Sequence, residues 1–126
     1  MSEESDMAIE KKTNPNLVSL IKELKDQARE EEASIWRDVA ERLEKPSKQW
    51  AEINLSKIER HAEEGETIVV PGKVLGAGIL KKEVTVGAFR ASKSAEKSIA
   101  EAGGEFFKLR ELAEQKPKGS NIKIMG

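Results

Sequence analysis

Glycine residues are concentrated between Pro71 and Gly78, where the sequence reads PGKVLGAG. Glycines let backbone N–H groups approach an anion closely, and neighbouring lysines would place positive charge around it. The spacing matches neither nucleotide fingerprint, because Thr67 stands where a P-loop needs glycine and Lys81 where a dinucleotide loop needs its third glycine. Two interpretations stay open: tight turns between short strands, or a loop that contacts a nucleic-acid backbone.

Groups for acid–base or nucleophilic catalysis are scarce. The chain has one histidine, His61, no cysteine and no tyrosine, and no serine in a GxSxG pattern. Most carboxylates lie in runs such as Glu30–Glu32, which are typical of solvated faces. We therefore expect no catalysis, cofactor, metal or small-molecule substrate. A small enzyme that binds an anionic substrate at the glycine-rich loop is the least favoured alternative.

The two tryptophans lie in different settings. Trp36 recurs with Val39 and Leu43 at helical spacing, which favours a packing role. Trp50 lies in a polar stretch, where it either covers the core or offers a stacking surface to a base or a partner.

Composition limits the fold to one small domain with a modest core. The 126 residues are 37% hydrophobic and 36% charged. No apolar run is long enough to span a membrane, and the acidic N-terminus lacks a signal-peptide pattern, so we expect a cytosolic protein. The net charge of −1 counts against nucleic-acid binding, although residues 67–126 contain more bases than acids.

The N-terminal half has helical periodicity. Asn14 is the expected N-cap of a helix that begins near Pro15, and Ser34 that of a second helix ending near Lys45. A linker is expected over Pro46–Ile53, followed by a third helix capped by Asn54. The apolar stripe of the first helix consists of Leu17, Leu20, Ile21, Leu24 and Ala28.

The C-terminal half changes to short strands separated by turns and two helices. Strands are expected at Thr67–Val70, Lys73–Leu75, Glu83–Phe89, Phe106–Leu109 and Ile122–Ile124, and helices at Ser92–Ala102 and Arg110–Gln115. This order predicts an α/β fold in which N-terminal helices precede a small irregular layer. The expected organisation is a flexible acidic tail at 1–12, a helical part at 13–66 and a small α/β globular part at 67–126.

Five segments in this order resemble a known family. They are TNP from Thr13, WRDVAERLEKP from Trp36 with INLSKI from Ile53, VVPGKVLGAG from Val69, and PKGS from Pro117. From residue 13 onward the chain resembles the archaeal form of the eighteen-e family of large ribosomal subunit proteins.

The resemblance implies a structural constituent of the cytoplasmic ribosome that binds large-subunit, 23S-type rRNA and neighbouring ribosomal proteins. It also implies a globular part similar to the fifteen protein of the same subunit, an irregular superhelix of β-β-α units, and a linker that faces rRNA. The family usually carries Arg and Lys after the proline of the linker. Here the residues are Ser47, Lys48, Gln49 and Trp50.

With this resemblance, cations of the second and third helices, the linker and the glycine-rich loop become candidate rRNA contacts. Lys57 and Arg60 share one helical face and are the first choice. The candidate rRNA-binding residues are Arg37, Arg42, Lys45, Lys48, Trp50, Asn54, Lys57, Arg60, Gly72, Lys73, Gly76, Gly78, Lys81 and Lys82. The alternative is a soluble protein-interaction module without RNA binding, which would dock through the stripe of Leu17, Leu20 and Leu24 together with the acidic tail.

Overall fold

A computed structural model describes residues 14–126 of the chain, and the acidic tail predicted for residues 1–12 lies outside the described residues. The helices are α1 (Pro15–Glu30), α2 (Ser34–Glu44), α3 (Leu55–His61), α4 (Lys93–Glu101) and α5 (Leu109–Gln115). The strands are β1 (Ala51–Asn54), β2 (Thr67–Leu75), β3 (Thr85–Ala91), β4 (Glu105–Lys108) and β5 (Ile122–Ile124). Within this described part, no helix has the length and apolar character needed to cross a bilayer.

The strands form a five-stranded sheet in which every pairing is parallel. The order is β1-β2-β3-β4, and β5 pairs with β2. β5 lies beside the first part of β2, from Thr67 to Val69, whereas β1 lies beside its last part, from Gly72 to Leu75. The α/β class expected from the sequence is confirmed, and strands from both sides of residue 66 share this sheet.

Helices cover both faces of the sheet. α1, α2 and α5 pack on one face around Val69, and α3 and α4 pack on the other face around Val70 and Val86. Trp36 is fully buried, and its indole N–H lies 3.1 Å from the carbonyl oxygens of both Lys116 and Pro117, so its expected packing role is confirmed. The whole expected stripe of α1 is buried: Leu17, Leu20, Ile21, Leu24 and Ala28.

The expectation of a plain linker over Pro46–Ile53 is wrong. A 3-10 turn over Ser47–Gln49 is followed by β1, which pairs with the last part of β2. Only Ile53 of β1 is buried, so the strand carries no alternating pattern that a sequence reading can use. Its extended form depends on the hydrogen bonds that β2 supplies.

The expected break at Pro71-Gly72 is also wrong, because β2 runs through both residues as one strand. The register to β3 passes from Val70 opposite Ala88 to Lys73 opposite Arg90, so Pro71 and Gly72 together face a single residue of β3. This two-against-one arrangement is a β-bulge, which accommodates a proline that cannot donate to the ladder.

One of the three expected helix caps, Ser34, differs from the prediction. Asn14 does cap α1, because its side-chain oxygen accepts a hydrogen bond from the Asn16 N–H at 2.9 Å. Ser34 is instead the first residue of α2, after Ala33. Asn54 is the N-cap residue of α3, as expected, but its side chain makes no capping hydrogen bond, and the Ser56 N–H donates to the carbonyl of Ala77 in the glycine-rich loop.

Candidate nucleic-acid interface

Exposed cations lie at the carboxyl ends of adjacent strands. Lys73 of β2 and Arg90 of β3 are direct register partners. Lys108 ends β4, beside Ala88 of β3. Because the strands are parallel, their carboxyl ends meet at one edge of the sheet, so these side chains belong to the same end of the molecule.

The helices that follow β1 and β3 begin at this same edge. α3 starts after Asn54 and carries Lys57 in its first turn, and α4 starts after Ser92 with Lys93 as its first residue. Both lysines are exposed. The resulting surface is termed the basic edge, and its residues are Asn54, Lys57, Lys73, Arg90, Lys93 and Lys108.

The glycine-rich loop is wedged between the starts of α3 and α4. The carbonyl of Ala77 accepts a hydrogen bond from the Ser56 N–H at 3.1 Å. A Cβ at Gly76 would lie 2.1 Å from the hydroxyl oxygen of Ser94, and one at Gly78, where φ is +100°, would lie 2.6 Å from Ser56 Cβ. The packing of this loop on the two helices therefore requires glycine at both positions.

The opposite edge of the sheet is acidic. Glutamates precede β2 and β3, end α4 and begin β4: Glu63, Glu64, Glu66, Glu83, Glu101 and Glu105. The Glu83 N–H donates to a Glu64 carboxylate oxygen at 3.0 Å, which holds two of these segments together. Lys116 and Lys123 lie beside these glutamates, and Glu52, Glu96 and Glu111 lie at the basic end, so cations are in excess at one end and glutamates at the other.

The arginines predicted for rRNA binding on α2 are engaged within the protein. Arg37 lies 3.7 Å from the Glu41 carboxylate. Arg42 donates to Asp38 at 2.9 Å and to the carbonyl of Gly126 at 3.0 Å. Neither belongs to the basic edge, and each already has an anionic neighbour of its own helix.

Lys81 and Lys82 also have unequal roles. The Lys82 ammonium donates to the carbonyls of Glu59 and Ala62, at 2.6 and 2.7 Å, and so caps the end of α3. The Lys81 side chain is exposed, whereas its backbone N–H donates to the Glu59 carboxylate at 2.9 Å. That hydrogen bond is the main cause that lowers the pKa of Glu59 below 4.5. Partial desolvation acts in the opposite direction and raises the pKa, whereas the Lys82 N–H and the charges of both lysines lower it further.

Trp50 lies over the core, the first of the two roles considered for it. Its ring meets that of Phe89 edge to face, with centroids 4.9 Å apart, and its indole N–H donates to the Lys45 carbonyl at 2.9 Å. The side chains of Lys45 and Lys48 are exposed on the linker beside it. The linker is therefore fixed against β3 close to Arg90, at one side of the basic edge.

Two further candidate residues lie away from the basic edge. Gly72 is buried, and a Cβ there would lie 2.1 Å from the carbonyl oxygen of Ala51, so this glycine allows β1 to approach β2. Arg60 is exposed in the last turn of α3, one turn from Lys57 toward the acidic edge. The structure thus brings Asn54, Lys57, Lys73, Gly76 and Gly78 to one end of the sheet and leaves the remaining candidates around it.

Sequence reasoning missed Arg90, Lys93 and Lys108 of the basic edge. Each lies at the end of an expected strand or at the start of the helix that follows. The usable signal is positional: in a parallel sheet, cations that end successive strands converge. That signal requires knowing that the pairings are parallel, which the strand pattern alone does not reveal.

The basic edge places cations and amide groups on one surface, as contacts to phosphates require. Among residues 14–126, no group of three or more His, Cys, Asp or Glu side chains is arranged to hold a metal ion. The fold and this edge define a small α/β protein with exposed cations gathered at the carboxyl ends of its strands.

Comparisons with known proteins give the family. The model described as "Ribosomal protein 60S L18 and 50S L18e" matches residues 2–126. Proteins named "Large ribosomal subunit protein eL18" are 50% identical in Methanoregula boonei, covering 90% of this chain and 94% of the relative, and 53% identical in Halobacterium salinarum, covering 90% and 97%. The protein of that name from Haloarcula marismortui is 52% identical, with coverage of 90% and 97%.

The chain belongs to this L18e family of ribosomal proteins. The resemblance seen in the sequence is confirmed, and with it the expectation of a ribosomal constituent rather than an enzyme.

Proposed function

We propose that this chain is a structural constituent of the large ribosomal subunit that binds large-subunit rRNA through the basic edge. It acts in the cytoplasm, within the ribosome, beside neighbouring large-subunit proteins. The observation that carries the proposal is the group of exposed cations at the carboxyl ends of β2, β3 and β4 and at the starts of α3 and α4. Phosphate contacts of this kind set the position of a protein on RNA and supply most of its non-specific affinity.

The neighbouring positions of Lys73 and Arg90 support an anionic partner. Like charges at neighbouring positions of a sheet repel each other, although the partner of Lys73 on its other side is Glu52 of β1. Within the described part of the chain, neither side chain forms an ion pair with a carboxylate. An rRNA phosphate between them would relieve this repulsion and add two charge-assisted hydrogen bonds.

The other candidate residues extend or support this surface. Lys45 and Lys48 extend the basic edge along the segment before β1. The Trp50 ring anchors that segment by packing against Phe89. Gly76 and Gly78 hold the α3 and α4 starts together, which fixes Lys57 relative to Lys93. Arg60 and Lys81 add outlying positive charge, whereas Arg37, Arg42 and Lys82 act mainly through contacts within the protein.

The alternative of a protein-interaction module loses the helical part of its proposed docking surface, and the acidic tail lies outside the described residues. The α1 stripe on which it depended is buried against α2 and the sheet. A stripe that forms the core is not available to an external partner.

The proposal is tested by charge reversal at the basic edge. The double variant Lys57→Glu/Lys73→Glu should weaken binding to large-subunit rRNA in filter-binding assays across a salt series. The slope of log K against log salt should fall by roughly 0.7–0.9 for each lost phosphate contact. Incorporation into large subunits should fall in parallel.

The matched control is Lys22→Glu/Lys118→Glu, which reverses two exposed lysines outside the basic edge. It makes the same change in net charge and should leave the salt slope within about 0.3 of the original. Equal losses in both double variants would contradict the proposal, because net charge rather than the basic edge would then govern binding.

A further inference from the structure

A groove of about 360 Å³ lies where the start of α1 meets the ends of β3 and β4. Its chemistry is amide, cationic, aromatic and aliphatic, and no carboxylate lines it. The lining residues are Asn14, Asn16, Leu20, Phe89, Arg90, Lys108, Leu109 and Arg110. Its volume lies within the range of small-molecule sites.

The wall formed by β3 is a stack of side chains, with Arg90 outermost and Phe89 beneath it. The Arg90 guanidinium carbon lies 5.4 Å from the centroid of the Phe89 ring, over its face. The Phe89 ring is fixed in turn by the edge-to-face contact with Trp50. Arg90 is exposed, and guanidinium planes are surfaces on which unstacked RNA bases pack.

The remaining walls supply hydrogen-bonding groups of the right kind for a nucleotide. Asn16 contributes a side-chain amide, which offers both donors and an acceptor. Lys108 contributes an ammonium group, and no carboxylate of residues 14–126 forms an ion pair with it. Arg110 is held by the Glu23 carboxylate, at 2.5 and 3.1 Å, and so forms a fixed wall.

We infer that this groove receives one unstacked nucleotide of the rRNA, a step that rests on the proposed function. The base stacks on Arg90 above Phe89, the Asn16 amide hydrogen-bonds the edge of the base, and Lys108 binds the adjoining phosphate. The combination of a planar cation, an amide and an ammonium fits an aromatic ring attached to an anion. A groove without carboxylates offers no complementary charge to the basic segments of other proteins.

The test separates stacking from charge. Arg90→Lys keeps the charge and removes the planar surface, so rRNA affinity should fall about tenfold with an unchanged salt slope. Asn16→Leu keeps the side-chain size and removes the amide, and should have a similar effect. Ser19→Leu places the same side chain on an exposed site of α1 outside the groove, and should bind as the original chain does.

A photoreactive benzoylphenylalanine at position 110, in the groove wall that makes no assigned nucleotide contact, gives a second readout in assembled subunits. A crosslink to an unpaired rRNA nucleotide supports the inference, and a crosslink to protein alone overturns it. If Arg90→Lys and Asn16→Leu bind as the original chain does at every salt concentration, the groove holds no nucleotide. The Lys57 and Lys73 variants involve neither residue, so the proposed function is tested separately.

Discussion

The carboxylate of Glu59 fixes the backbone of Lys81 and Lys82. It accepts the backbone N–H groups of Lys81 and Lys82, at 2.9 and 3.2 Å, and thereby orders the loop that returns from β2 to β3. The ordered loop then delivers the Lys82 ammonium to the end of α3. One half-buried side chain thus joins a loop to a helix without being part of the core.

This arrangement predicts a pH-dependent stability. The pKa of Glu59 is lowered in the folded chain, chiefly by the Lys81 N–H, so the carboxylate contributes stability above its ordinary value of 4.5. That contribution is lost as the pH falls through the lower folded value. The stability advantage of the original chain over Glu59→Gln should therefore shrink below pH 4.5, as urea unfolding at a series of pH values would measure.

Glu30→Gln removes an exposed carboxylate that accepts no such hydrogen bonds in the described part of the chain, and serves as the control. A stability difference for Glu59→Gln that stays constant across the acid range would rule out this account of the loop.

Residue types could be read from the sequence more readily than their partners. The sequence shows that Arg37 and Glu41 are one helical turn apart, but it does not show that Arg42 also reaches Gly126. It equally does not show that Arg90 lies beside Lys73, because that neighbour is set by the register of two strands. Which residues belong to the basic edge therefore depends on the tertiary structure and cannot be read from the sequence alone.

At the scale of elements, Gly72 of the bulge allows β1 to pair closely with β2. A Cβ at Gly72 would meet three backbone atoms of Ala51, the nearest at 2.1 Å. Backbone atoms of a paired strand cannot move aside as a side-chain end can, so β1 would have to shift.

Gly72→Ala should therefore destabilise the chain by about 1–3 kcal/mol and remove hydrogen-exchange protection from the amides of β1. Gly65→Ala is the control, because nothing lies within 4 Å of a Cβ there and only its φ of +81° opposes the change. It should cost about 1 kcal/mol and leave β1 protected. Intact protection of β1 in Gly72→Ala would show that β1 does not depend on this close approach.

Elements with local signals were predicted well. α1 has both its cap at Asn14 and its periodic stripe, and α4 begins after Ser92 and stops before Gly103, where φ is +89°. β1 has neither signal, since Ile53 is its one buried residue, and its form is imposed by β2. At Pro71 the local signal predicted the end of a strand, but β2 continues through it. The bulge that accommodates the proline is defined by the pairing with β3, which the sequence does not show.

For the whole molecule, the distance between the two charged ends matters. β3 has seven residues, which corresponds to roughly 20 Å at about 3.3 Å per residue. This exceeds the screening length of about 8 Å at physiological ionic strength. The acidic edge is therefore electrostatically separate from a ligand bound at the basic edge.

Glu101→Gln/Glu105→Gln should accordingly change rRNA affinity by less than about twofold at physiological salt, with a larger gain at about 0.01 M salt. Filter binding at both salt concentrations measures this. A large gain at physiological salt would mean that the acidic edge itself comes near the RNA.

An excess of cations at one end of the sheet and of glutamates at the other gives the protein a dipole moment that its net charge does not reveal. The field around a polyanion exerts a torque on such a molecule before any contact is made, and this torque turns the lysine-bearing end forward. A chain whose net charge is slightly repelled by RNA can then still meet it in the productive orientation. Added salt should slow the encounter by weakening this alignment, even where the final complex remains tight.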